Sequence, residues 1–316
     1  MKTRVSLVAA AVLGALSTVS FADYPERSIE LTIPAGAGGG TDTSARKLAT
    51  LLEEKLGQSI AVLNVGGGGG SVGASQFMQA TPDGYSLFAT WNSPLTTVPH
   101  VQNVAYSIDS FTPIASTSET AYTLCVKADF PADTGEEFLA ELAANPDKYT
   151  YGNDGIGGTM QLAAERIFQT QDIKAVAIPF GGAKETLQNF LGGHVDIYGG
   201  SISTVLPFVE SGEAKCPLVT SAADVAALPG ASGLDQLGIG SEETLLWRAI
   251  LGPKGLDPSI VEMLGAIIEE SVNDPSYVEF LATKGEVPNV LLGEALGERL
   301  QSESDGLAAV SEALGL

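Results

Sequence analysis

Residues 28–65 read SIELTIPAGAGGGTDTSARKLATLLEEKLGQSIAVLNV, and this stretch decides the fold class. Ser28 to Pro34 alternates apolar and polar side chains, the two-residue period of a strand. Beyond the glycine-rich loop Ala35 to Asp42 (AGAGGGTD), apolar residues recur at helical spacing at Ala45, Leu48, Ala49, Leu52 and Leu56. They predict a helix over Thr41 to Leu56, ended by Gly57 in the C′ position. Ser59 to Val65 is a second strand. Strand, tight loop, helix and strand in close succession make a parallel pair with a helical crossover, and so an α/β protein.

The pattern continues downstream. After Gly66 to Gly70 a short helix runs through Ala80, Pro82-Asp83-Gly84 turns the chain into strand Tyr85 to Thr90, and Phe111 to Ser116 reads as a fourth strand. A second series opens with strand Thr123 to Lys127. It continues through helix Gly135 to Ala144, strand Tyr149 to Asn153, helix Met160 to Gln169, strand Ala175 to Pro179, helix Lys184 to Leu191 and strands Val195 to Tyr198 and Lys215 to Thr220. Strand Leu245 to Gly252 then leads to helices Pro258 to Val272, Pro275 to Thr283 and Glu294 to Leu314. The second half repeats the logic of the first without repeating its sequence. The length of 316 residues favours two domains over one.

Composition removes several function classes. The chain carries 16 Lys and Arg against 38 Asp and Glu, a formal charge of −22. With bases this scarce, neither phosphate neutralisation nor attraction to an anionic membrane has a physical driver. Nucleic acid is therefore excluded as a partner. At the N-terminus Lys2 and Arg4 precede an apolar run from Val5 to Leu16, and Ser20-Phe21-Ala22 supplies small residues at −3 and −1. This is the three-part design of a secretory signal over residues 1–22, cleaved after Ala22. Residue 23 is Asp, so no lipid-modified cysteine follows. The expectation is an exported periplasmic protein of net charge −24 that is not a lipoprotein. Its two cysteines, Cys125 and Cys216, have no metal-ligand spacing; they are either a disulfide or two buried thiols.

The 37 glycines, about 12% against a usual ~7%, fall in discrete clusters. In open α/β sheets ligands sit beyond the carboxyl ends of strands, where the first amides of a helix are unpaired and carry about half a positive charge. The loops Ala35 to Asp42 and Asn153 to Thr159 (NDGIGGT) both fit that position. Together they make an anion clamp, since glycine lets a ligand approach the backbone closely. The glycine run at 66–73 matches two motifs by repetition alone. Its GxGxxG, Gly68 to Gly73, lacks the acid expected about 20 residues on for a dinucleotide ribose. Its GxSxG, Gly69 to Gly73, offers Ser71 as a hydrolase nucleophile, but the only histidines are His100 and His194, and His194 reads as a solvated loop residue. No P-loop motif exists. No cofactor, metal site or catalytic residue is expected.

The same residues carry a family resemblance. Tyr24-Pro25, IPAGAGGGTD at 33–42, NVGGGGGSVGA at 64–74, PDGYSL at 82–87, IPFGGAKETLQNFLGGHVD at 178–196 and WRAILGPKGLDP at 247–258 occur in the order found in the substrate-binding proteins of tripartite tricarboxylate transporters, the Bug-type receptors. The chain resembles that family over essentially its whole mature length. The resemblance implies a two-lobed type II periplasmic-binding-protein fold, each lobe a doubly wound, mainly parallel sheet, the lobes joined by two crossing strands. Lobe I would comprise residues 23–122 and 245–316, and lobe II residues 123–244. It also implies a monomeric, non-enzymatic receptor closing on a mono-, di- or tricarboxylate, aromatic acids included, and docking on integral membrane transporter subunits. A sensor kinase as the partner would predict the same binding, and a hydrolase using Ser71 is the enzymatic alternative. In this topology Cys125 and Cys216 lie on neighbouring strands, which favours the disulfide.

Carried over by position, the first clamp falls on Ala35, Gly36, Ala37, Gly38, Gly39, Thr41 and Asp42. The second falls on Gly155, Ile156, Gly157, Gly158 and Thr159. Strand ends add Asn92, Ser93, Phe180, Gly181 and Ser201 as cleft residues. Three positions depart from the family pattern. Ala35 stands where an aromatic is usual, and Gly158 and Gln161 replace a Ser and a His, which predicts a looser pocket with Thr159 supplying the lost hydroxyl. Asp42 is read first as a helix first-turn acid, Lys184 as a solvated helix residue, and Trp91 as either a wall or core.

Overall fold

The computed structural model describes residues 24–316, so the signal segment predicted over residues 1–22 lies outside the described residues. Strands β1 (Ile29–Ile33), β2 (Ile60–Asn64) and β3 (Ser86–Trp91) alternate with helices α1 (Gly40–Leu56) and α2 (Ser71–Phe77). Two short helical turns, α3 (Ser93–Thr96) and α4 (Val98–Val101), then lead to β4 (Phe111–Lys127). The second series comprises α5 (Gly135–Ala144), β5 (Thr150–Asn153), α6 (Thr159–Thr170), β6 (Val176–Pro179), α7 (Ala183–Leu191), β7 (Ile197–Ser201), α8 (Ile202–Glu210) and β8 (Ala214–Val219). The chain closes with β9 (Leu245–Pro253), α9 (Pro258–Val272), α10 (Pro275–Ala282), β10 (Val287–Pro288) and α11 (Gly293–Leu314).

The strand order is β2-β1-β3-β9-β4-β7-β5-β6. In lobe I, β1 pairs in parallel with β2 and β3, and β9 is antiparallel to β3 and β4. In lobe II, β5 pairs in parallel with β6 and β7, while β4 is antiparallel to β7 and β8. β4 changes partner along its length: Phe111 to Ala121 pairs with β9, and Tyr122 to Val126 with β7. β4 and β9 are thus the crossing strands, and the architecture is the doubly wound, two-lobed type II arrangement.

Each sheet is covered on both faces. One cluster of lobe I joins Leu31, Leu48, Leu52 and Ile250 to Leu264, Ile268 and Tyr277 of α9 and α10; the other joins Phe77, Phe88, Phe111 and Trp247 to Leu296 and Leu300 of α11. In lobe II, Phe138, Leu142, Ile167 and Phe168 of α5 and α6 cover one face, and Leu187, Phe190, Ile202 and Val205 of α7 and α8 the other.

The structure adds the short elements α3, α4 and β10 to the sequence reading, and departs from it further in β4, β7 and α8. The strands expected at Phe111 to Ser116 and Thr123 to Lys127 are one 17-residue strand. Its middle is hidden because both faces of Ser116 to Ser118 and Thr120 to Thr123 are buried, so no in–out alternation marks it as a strand. β7 runs on through Gly199 and Gly200 to Ser201, two glycines that strand propensity penalises. Their Cα atoms lie against the backbone of Gly152 and the Tyr198 ring, where a Cβ has no room. The helix α8 carries Pro207 inside it, which breaks the sequence signal for a helix. Cys125 and Cys216 form a disulfide between β4 and β8, at the register shift between Leu124 and Val126.

Candidate functional site

The two glycine loops stand at the carboxyl ends of β1 and β5, one in each lobe. Gly39 is the N-cap of α1 and supplies no side-chain cap, so among the described residues the first-turn amides of Gly40 and Thr41 have no acceptor. Gly36 to Gly40 are exposed, while Thr41 and Asp42 are buried. The Asp42 carboxylate shapes the loop from within. It accepts from Gly38 N at 2.8 Å, Asn64 Nδ2 at 2.9 Å and Arg46 Nε at 2.9 Å, and Asn64 also donates to Ala35 O. Burial alone would raise its pKa, but those hydrogen bonds and the Arg46 charge outweigh it and hold the acid below its ordinary value. These bonds commit the Asp42 carboxylate to the loop itself.

The second loop is also self-bonded. Gly155 N donates to Asn153 Oδ1 and Gly157 N to Gln161 Oε1, and Gly158, the N-cap of α6, gives no side-chain cap. The space expected at Gly158 is not open: a Cβ there would run into the Asp154 carboxyl. Asp154 reaches under the start of α6, with Oδ2 3.5 Å from Met160 N and Oδ1 buried without a hydrogen-bond partner among the described residues. Burial pushes its pKa up to about 6, only partly offset by the amides of Met160, Asp154 itself and Gln161. The hydroxyl of Thr159 is not presented to the cleft either. It meets Thr97 Oγ1 of lobe I at 2.8 Å, and Gly157 abuts Val101 of α4. The lobes therefore touch beside the clamp.

Other sequence candidates separate into two groups. Phe180 stays with the clamp, because its amide donates to Asn153 O and its ring packs on Gly152, while Gly181 N is capped by Glu185 Oε2. Trp91 packs against the lobe II core from β3, so it is an inter-lobe wall. Ser201 bonds Thr204 within the start of α8. Asn92 is fully buried and its amide donates to Leu245 O and Glu303 Oε1. It ties the crossing strand to α11, and its NH2 group is not available to a ligand. Ser93 is buried, and its carbonyl accepts from Thr97 N. Lys184 is exposed. Neither histidine hydrogen-bonds Ser71: His100 bonds Ser304, and His194 is exposed on its turn.

Arg248 was not among the expected residues. β9 places it opposite Trp91, at the cleft end of β3. Its Nε donates to Thr41 Oγ1 at 3.3 Å, its Nη1 pairs with the buried Glu286, and its Nη2 lies 2.8 Å from where a Gly40 Cβ would sit. In the sequence it stands in a strand rather than a loop, and only its charge inside an apolar run, WRAILG, marks it. A separate cavity of about 340 Å³ opens behind the hinge, lined by Arg166, Thr244, Leu245, Arg299, Glu303 and Leu307 among others. The guanidinium of Arg166 is already held there by Ser241 O, Glu243 O and Thr244 Oγ1.

Comparison with known proteins places this geometry. A UPF0065 protein from the gbd 5′ region of Cupriavidus necator is 32% identical over 310 residues, covering 98% of this chain and 94% of its own length. The periplasmic binding protein BugD superposes with a TM-score of 0.80 at 29% identity, over 92% of this chain and 99% of that one. Rpa4515 of R. palustris, solved with adipate, shares the fold with a TM-score of 0.84 at 24% identity, over 93% and 99% of the two chains. No helix among the described residues is long and apolar enough to cross a membrane. Residues 44–310 match the family described as tripartite tricarboxylate transporter family receptor, and the chain belongs to that family of periplasmic solute-binding proteins.

Proposed function

We propose that this protein captures a small organic carboxylate between its lobes in the periplasm and delivers it to the membrane subunits of a tripartite tricarboxylate-type transporter. The reading is supported by the uncapped first turn of α1, whose Gly40 and Thr41 amides have no acceptor among the described residues and which adjoins Arg248 through Thr41. Amides at a helix start hold an anion at short range. The acidic surface acts at longer range and is screened beyond about 8 Å at physiological salt. Closure is favoured because the bound acid then contacts both lobes, and the closed form is the one the permease reads.

A thermal-shift and calorimetric screen of mono-, di-, tri- and aromatic carboxylates tests this reading. At least one acid is expected to stabilise the protein and to bind at one site per chain. Absence of binding by every class would contradict the proposal.

A further inference from the structure

The two sides of the cleft differ in charge, and the difference comes from residues inside the clamps. On lobe I the clamp is backed by a cation. Arg248 is only 5% exposed, is held by Thr41 and Glu286, and its Nη2 makes no hydrogen bond among the described residues while lying over Gly40. The absence of a side chain at Gly40 leaves that nitrogen room at the first turn of α1. On lobe II the corresponding place is taken by an acid. Asp154 lies under the first turn of α6, and Gly158 lacks the Cβ that would collide with it. The positive end of α6 is thus occupied by the protein's own carboxyl group.

Close to both is Tyr122 of β4, 2% exposed, whose hydroxyl makes no well-formed hydrogen bond among the described residues and is influenced by Asp154, Glu303, Thr159 and Arg248. The Asn153 Nδ2 next to Asp154 is likewise buried and unpartnered. Asp154 forms no salt bridge among the described residues, and its charge helps to raise the buried phenols of Tyr122, Tyr151 and Tyr198 on β4, β5 and β7.

We infer that the cleft selects an organic acid with a single carboxylate, held on lobe I by Arg248 and the α1 amides, whose far end is a hydroxyl or ammonium group turned toward Asp154. A second carboxylate at that end would meet a like charge that no cation compensates. An ammonium there donates to Asp154 and to the Tyr122 hydroxyl oxygen, and a hydroxyl donates to Asp154 while accepting from Tyr122 or from Asn153 Nδ2. This inference rests on the carboxylate reading of the cleft and narrows it to one chemical class.

The test is calorimetry at pH 7.5 with chain-matched acids: adipate against 6-hydroxyhexanoate and 6-aminohexanoate, and succinate against 4-hydroxybutyrate and 4-aminobutyrate. In the wild type the hydroxy or amino acid of a pair is expected to bind at least about tenfold more tightly than the dicarboxylate. Asp154→Asn is expected to close most of that gap. Gly40→Ala places a methyl group against Arg248 Nη2 at a position whose backbone accepts alanine. It should weaken mono- and dicarboxylates alike by about tenfold with Tm unchanged. A wild-type preference for the dicarboxylates, or a preference that Asp154→Asn leaves unaltered, would overturn the inference while leaving the receptor function intact. Failure of every acid to bind would overturn both.

Discussion

Thr97 Oγ1 and Thr159 Oγ1 lie 2.8 Å apart, a fully buried hydrogen bond between the turn that joins α3 to α4 in lobe I and the start of α6 in lobe II. The bond exists only when the lobes meet, so it contributes to closure and hence to affinity. Replacing either residue by valine keeps the shape and leaves the other hydroxyl unpaired, at a cost of about 1 kcal/mol or more. The expected outcome is a loss of about fivefold or more in ligand affinity by calorimetry, with a larger radius of gyration for the ligand-bound protein in solution scattering.

Asp154 makes stability depend on pH in a defined direction. Its folded pKa of about 6 lies above the ordinary 3.8, so the folded state favours the protonated form. The stability it contributes is full below about pH 4, is lost as pH rises through about 6, and is absent above that. The difference across this window is about 2 to 3 kcal/mol. Asp154→Asn should therefore be more stable than the wild type at pH 7.5, and the two should converge toward pH 4. Glu165 and Glu303 are also raised, chiefly by burial, and have the same sign. They act equally in both proteins and cancel in the comparison, which is made by denaturant titration at each pH.

The Cys125–Cys216 disulfide closes a loop with a sequence separation of 91. Cross-linking at that separation removes unfolded-state entropy worth about 4 to 5 kcal/mol at most. The Cys125→Ser/Cys216→Ser protein should lose about 2 to 4 kcal/mol in urea. Intact-mass analysis of the native protein should show no alkylatable thiol before reduction.

Arg248 and Glu286 form a buried ion pair, their side chains 6% and 1% exposed, to which Ser118 adds a hydrogen bond on Glu286. Removing one partner strands the other charge, and Glu286→Ala is expected to cost about 3 to 5 kcal/mol. The double replacement Arg248→Met/Glu286→Leu removes both charges and should recover most of that stability. Because it also removes the lobe I cation, it should not recover ligand binding. Denaturant midpoints and calorimetry on the same samples separate the two effects.

Much of this was legible in the sequence because it is local. The strand, glycine loop and helix of residues 28–56 announce themselves by periodicity, and the ordered motifs from Tyr24 to Pro258 carry the family. The fate of the polar groups was less legible. Asn92 ends a strand as expected, but a carboxylate 211 residues away, Glu303, turns its amide inward. Gly158 reads as added space until Asp154 is seen filling it. Arg248 becomes part of the site only through the register that sets β9 against Trp91 and under α1. Each of these depends on partners distant in sequence, or on burial that the pattern of apolar residues does not encode.

The most direct test of the central claim is an amide NMR titration of the uniformly labelled protein with whichever carboxylate stabilises it best. Gly39, Gly40 and Thr41 in lobe I and Asp154, Gly155 and Thr159 in lobe II should shift together, with one dissociation constant. Saturable shifts confined to the hinge cavity around Arg166 and Arg299, or to one lobe alone, would contradict capture between the two loops.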